Sequence, residues 1–152
     1  MMRRVICSVG VLMLLLVAPL PADEPAEVAL VLVSGSDLGG SHLTPNQLRR
    51  VFLGIPVKVG GQNIRALRYT GDSQLNEIFL QKVVYMTERR YERQLVSQTF
   101  RTGQMRPPNF DKRGALVQAL KSVPYNVSVL WKHDAEKDPD LYVIQEIWKG
   151  RQ

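Results

Sequence analysis

One cysteine and two histidines are all the chain offers of the commonest metal-ligating and nucleophilic side chains in its 152 residues. A single cysteine cannot close an intrachain disulfide, and Cys7 lies in an N-terminal segment that reads as a leader, so the mature chain has no thiol for catalysis or metal binding. His42 and His133 stand in separate loops, with no second ligand-type residue at metal-site spacing. Neither His-Glu-x-x-His nor Gly-x-Ser-x-Gly occurs. The acidic series Asp134, Glu136, Asp138 and Asp140 lacks the glycine and closing glutamate of a calcium loop and reads as solvated. These absences point away from an enzyme and imply neither metal nor cofactor.

Long hydrophobic runs are scarce as well. Val5 to Leu20 is short of the ~20 residues a spanning helix needs; Arg3 and Arg4 precede it, and Pro21-Ala22 leads out to Asp23 and Glu24. That pattern is a secretory signal over residues 1–22, cleaved near Ala22, with a single domain over 23–152 and a periplasmic location. Removing Arg3 and Arg4 leaves 18 basic and 14 acidic residues and lowers the formal net charge from +6 to +4. About 130 residues suffice for one hydrophobic core and are few for two.

Between the leader and the C-terminus the punctuation is informative. Val28 to Val33 reads as a strand buried on both faces, as in a parallel sheet, followed by the glycine-rich loop Ser34 to Ser41. Thr44 caps a helix with Pro45 at its first position; Leu48, Val51 and Phe52 form its buried stripe, and Gly54 stops it in a left-handed conformation. Gly60-Gly61 turns between two short extended runs, the second ending at Arg68 and Gly71. A helix over Asp72 to Met86 follows, with Leu75, Ile78, Phe79, Val83 and Met86 on one face. Thr87 then caps another helix, with Tyr91, Leu95 and Phe100 inward. Asp111 is the expected cap of a third helix carrying Leu116, Val117 and Leu120, and strands are expected over Asn126–Trp131 and Leu141–Ile147. The order predicts an α/β domain with helices on both faces of its sheet.

Three groups of residues are candidates for chemistry. Arg68, Thr70, Gly71 and Ser73 sit where a strand runs into a helix N-terminus, a place suited to gripping a small oxyanion. Asp72 stands at that same helix start, and its carboxylate would compete with an anion as a cap. Ser34 and Ser36, in the glycine-rich loop, could present hydroxyl and N–H groups to the same ligand; the loop has no Walker lysine. Arg89, Arg90 and Arg93, with Arg101, Arg106, Lys112 and Arg113, form a basic group. Interleaved Glu88 and Glu92 give it the look of an ordinary solvated face, and export argues against nucleic acid.

The block Thr44-x-x-x-Leu48-x-x-Val51-Phe52-x-Gly54, then a glycine turn, then Arg68 and Gly71 ahead of a helix, resembles the substrate-binding proteins of phosphate ABC transporters. It is more similar to their short single-lobe relatives, whose Phe-x-x-Gly…Pro-Pro loop matches Phe100 to Pro108. The resemblance covers Ser34 to Trp131. It implies a single periplasmic-binding-protein-like lobe with a mixed, mostly parallel sheet flanked by helices, and phosphate or another small oxyanion as ligand. A membrane transporter or envelope protein is the implied partner, and a homodimer could supply the missing lobe. The family's Arg-x-Asp-Gly-Ser-Gly-Thr is here Arg68-Tyr69-Thr70-Gly71-Asp72-Ser73-Gln74, so the arginine and first glycine match while the Ser-Gly-Thr triplet does not. Two function classes stay open: an oxyanion-binding transport component, and a single-lobe interaction protein of the envelope that has lost its ligand.

Overall fold

In the computed structural model, residues 27–151 are described, and they order themselves around the apolar run that follows Glu27. The expected signal segment, its cleavage point and Cys7 lie outside the described residues. Strand β1 (Glu27–Ser34) is buried along all but its first residue, because the odd and even positions of the run each meet a separate hydrophobic layer. Leu30 and Leu32 face one layer; Val31 and Val33 face the other.

The chain then forms α1 (Pro45–Phe52), the hairpin β2 (Val57–Val59) and β3 (Gln62–Ala66), and a two-residue strand β4 (Arg68–Tyr69). Next come α2 (Ser73–Phe79), a π-helical turn (Leu80–Val84), α3 (Glu88–Thr102) and the short strand β5 (Asn109–Phe110). The C-terminal part is α4 (Arg113–Ser122), β6 (Asn126–Trp131), a short helix α5 (Lys132–Ala135) and β7 (Tyr142–Arg151). Five strands make one mixed sheet in the order β2-β3-β6-β1-β7, while β4 and β5 pair separately. Residues of α1, α2, the π turn and α3 share one core cluster with Leu30 and Leu32, whereas Leu116, Val117 and Leu120 of α4 and Ala135 of α5 pack with Val31 and Val33. Among the described residues, no helix is long and apolar enough to cross a membrane.

The mixed α/β architecture with helices on both faces agrees with the sequence, but the sheet is not mostly parallel. Only β3 with β6 runs parallel in the five-stranded sheet; β1 is antiparallel to both β6 and β7, and β2 to β3. The physical reason is that an unbroken apolar strand reports burial on two faces, not strand direction. Helix layers above and below bury β1 equally well in an antiparallel setting.

Local signals around α1 hold in detail. The Thr44 hydroxyl accepts from the Gln47 N–H, the Gln47 side chain returns a bond to the Thr44 N–H, and Leu48, Val51 and Phe52 are buried. Gly54 has φ +74°, the left-handed stop, and a Cβ there would lie 3.6 Å from the Met105 carbonyl oxygen. Gly54→Val is therefore expected to lower stability by ~1 kcal/mol or more, measured by urea unfolding. An unchanged midpoint would show that the left-handed conformation is not required.

Three expected helix details change. The Asp72–Met86 helix breaks after Phe79 into the π turn, whose extra residue lets both Val83 and Val84 enter the core. Lys112, not Asp111, occupies the cap position of α4, and no side-chain bond caps that helix. Phe100 points outward and is 86% exposed, because five residues beyond Leu95 is about 140° around the helix from the buried stripe.

Candidate functional site

Arg68 reaches its place because β3 ends at Ala66 and the chain steps sideways to pair with β5. The Leu67 N–H donates to Val127, and the Arg68 N–H donates to Pro108 at 2.8 Å. The side chain is thereby directed beneath α2 and α3, where it is only about 4% exposed. Its Nη2 donates to both Glu88 carboxylate oxygens, at 2.7 and 2.8 Å, and to Asn76 Oδ1 at 2.9 Å. Its Nη1 donates to Glu92 Oε1 at 3.0 Å, and the second Glu92 oxygen accepts from Arg106 at 2.7 Å. The guanidinium carbon also lies 4.8 Å from the Tyr91 ring centre and 5.7 Å from that of Phe79. Arg68 is the hub of an internal ion-pair network that ties β4 to two helices.

The electrostatics follow from that geometry. Partial burial pushes the Glu88 carboxyl upward, but hydrogen bonds from Arg68 and Asn76 outweigh it and hold the group below the usual carboxylate range. Burial drives the Tyr91 phenol well above its ordinary value, and its hydroxyl donates to the Phe52 carbonyl oxygen in the core. Asp72 is equally committed. One oxygen accepts the Leu75 N–H at 3.0 Å, capping α2, and the other accepts the indole N–H of Trp131 at 2.8 Å.

Of the remaining expected site residues, Thr70, Ser34 and Ser36 have structural partners too. The Thr70 hydroxyl donates to Asn109 Oδ1 at 3.1 Å, beside the β4–β5 pair. Gly71 has the close approach that glycine permits: a Cβ there would fall 2.0 Å from the Asp111 carbonyl oxygen and 2.7 Å from the Tyr69 ring. Ser73 begins α2. Buried Ser34 donates to the Asn126 carbonyl at 2.8 Å, and the Ser36 hydroxyl accepts the Tyr125 N–H at 3.1 Å, so this pair joins the end of β1 to the start of β6. No hydrogen bond or ion pair links the two serines to Arg68, Thr70 or Ser73 among the described residues.

Sequence reasoning did not assign Asn76, Glu88, Glu92 and Arg106 to Arg68. A signal was present: Glu88, Tyr91, Glu92 and Leu95 follow helical spacing, which places both carboxylates beside the buried stripe rather than opposite it. The acidic segment expected as a loop begins in α5, which holds His133 and Asp134; Lys121 of α4 bridges Asp138 and Asp140, and Lys137 bonds Asp134. Among the described residues, no cluster of histidine, cysteine, aspartate and glutamate could hold a metal ion.

The structure does unite the two separated segments of the sequence pattern. Val51, Gly54 and Ile55 from the end of α1 meet Met105, Pro107 and Pro108 across an open groove of about 340 Å³. Ile64 and Ala66 also line it, and Asn63, Arg65, Gln104 and Arg106 supply polar groups. No protein-family model matches the chain, and no curated protein matches it.

Proposed function

We propose that the chain is an exported, single-lobe relative of the phosphate-transporter substrate-binding proteins that acts as an interaction module of the cell envelope and holds no oxyanion at the Arg68 junction. The observation that carries this reading is that both terminal nitrogens of the Arg68 guanidinium are engaged by Glu88, Glu92 and Asn76, which leaves only the buried Nε without a partner. An incoming phosphate would have to displace two carboxylates from a buried arginine and then face both at close range. Asp72 adds a further negative group at the helix start, where the α2 dipole is already capped. The periplasmic-binding-protein likeness rests on sequence alone: the Thr44–Gly54 pattern, the glycine turn, Arg68 and Gly71 ahead of a helix, and the Phe100–Pro108 loop.

Calorimetric titration of the protein with phosphate, sulfate and molybdate is expected to give only dilution heats. Saturable binding of any of the three would overturn this reading and restore the transport-component alternative.

A further inference from the structure

The arginines of α3 acquire a different meaning once the partners of Glu88 and Glu92 are known. In sequence, the two glutamates offset Arg89, Arg90 and Arg93. In the structure, both carboxylates turn inward to Arg68, and Glu92 also takes Arg106. The outward arc of α3 therefore carries Arg89, Arg90, Arg93 and Arg101 with no carboxylate among them, and among the described residues none of the four has a hydrogen-bond or ion-pair partner. At 100° per residue, Val96 and Phe100 fall on the same arc as Arg89 and Arg93. Phe100 is 86% exposed, and Met105, just past the end of the helix, is 79% exposed.

We propose that the outward face of α3 and the adjoining loop through Met105 dock on an anionic lipid surface. The inference deepens the interaction-module reading, and rests on it, by naming the partner as the membrane itself. Charge complementarity supplies the attraction: four unpaired guanidiniums on one face suit phosphate headgroups, to which each contributes about fivefold in partitioning near the surface. The exposed apolar side chains choose among anions. A solvated acidic polymer gains nothing from Phe100, Val96 or Met105, whereas the boundary between headgroups and acyl chains takes them up. A second copy of this chain would bring like charges together, so self-association through this face is disfavoured. Phe100 is held in water at the expense of apolar exposure, and a lipid interface removes that exposure.

Flotation of the full chain with vesicles of pure phosphatidylglycerol or pure phosphatidylcholine tests the assignment. Binding to phosphatidylglycerol is expected to exceed that to phosphatidylcholine and to fall with added salt. Arg89→Glu/Arg93→Glu should lower it at least tenfold, and Phe100→Ser should lower it without changing the salt dependence. Lys112→Glu/Lys132→Glu changes the net charge equally on the opposite helix layer and should lose far less. Residues 1–26 are common to every sample, so a difference between variants reports the substituted face. The substituted side chains are solvent-facing, and unchanged circular dichroism confirms that the variants fold.

Equal loss in both charge-reversal variants would overturn the proposal by reducing the effect to net charge. So would equal binding to the two lipids. Binding to soluble polyglutamate that depends on Arg89 and Arg93, without vesicle binding, would overturn it in favour of an acidic protein partner. The phosphate titration is separate: a saturable isotherm there would remove the ligand-free reading while the vesicle comparison still decides the lipid face.

Discussion

Phe52→Ala is expected to lower folding stability by ~3–5 kcal/mol, the largest effect of any single substitution considered for this chain. The side chain has no exposed surface, and its ring meets Phe79 edge-on with centroids 5.0 Å apart; Phe79 in turn meets Tyr91 at 5.7 Å. The three rings join α1, α2 and α3 at one point, so the cavity left by truncation would be walled by three helices that cannot all collapse inward. The Phe52 carbonyl also receives the Tyr91 hydroxyl, and that bond is disturbed if α1 shifts to fill the space. Urea unfolding of wild type and variant measures the loss. A change under ~1 kcal/mol would mean that neighbouring side chains refill the site.

The features legible in the sequence are those decided within a few residues. The Thr44 cap, the α1 stripe, the Gly54 stop and the Gly60-Gly61 turn each follow from backbone chemistry that the local residues cannot avoid. Strand direction is different in kind. Val28 to Val33 would look the same in a parallel or an antiparallel sheet, since the run records only that both faces are covered. The π turn was hidden for a related reason. Phe79, Val83 and Val84 are all compatible with a helical face until the packing demands that adjacent valines enter the core together.

The candidate site was legible as a place and not as a function. Arg68 does sit between a strand and a helix start, as expected. What sets its role is the identity of side chains 8, 20 and 24 residues away, brought together by α2 and α3. Local reading assigned Glu88 and Glu92 to the surface because charged residues on helices usually face water. Both carboxylates do keep partial exposure, but the buried arginine engages them, and by the same act leaves the α3 arginines unbalanced. A single tertiary contact thus recasts two regions of the sequence.

Arg68→Ala is expected to destabilise the fold by about 3 kcal/mol, near the lower end for breaking a buried ion pair. The lower end applies because Glu88 and Glu92 are 47% and 38% exposed, so water can receive the charges left behind. What water cannot replace is the packing of the guanidinium on Tyr91 or the link from β4 to both helices. Glu88 titrates below its unfolded value, so its contribution is present above that value and is lost as the pH falls through the folded one. Wild-type stability should consequently drop on the acid side, and Arg68→Ala should flatten that drop. It should not abolish it, because Asp134 of α5 is also held low, burial being outweighed by Lys137 and neighbouring positive charge at a place the substitution leaves intact. Arg68→Lys separates charge from geometry: an ammonium keeps the sign but cannot fork between two carboxylates, so it should recover only part of the loss. Denaturant midpoints for the three proteins from neutral to acid pH distinguish these terms. If Arg68→Ala leaves stability unchanged, the network is not a structural hub; if it also removes phosphate binding seen with wild type, Arg68 is a ligand group and the interaction-module reading falls.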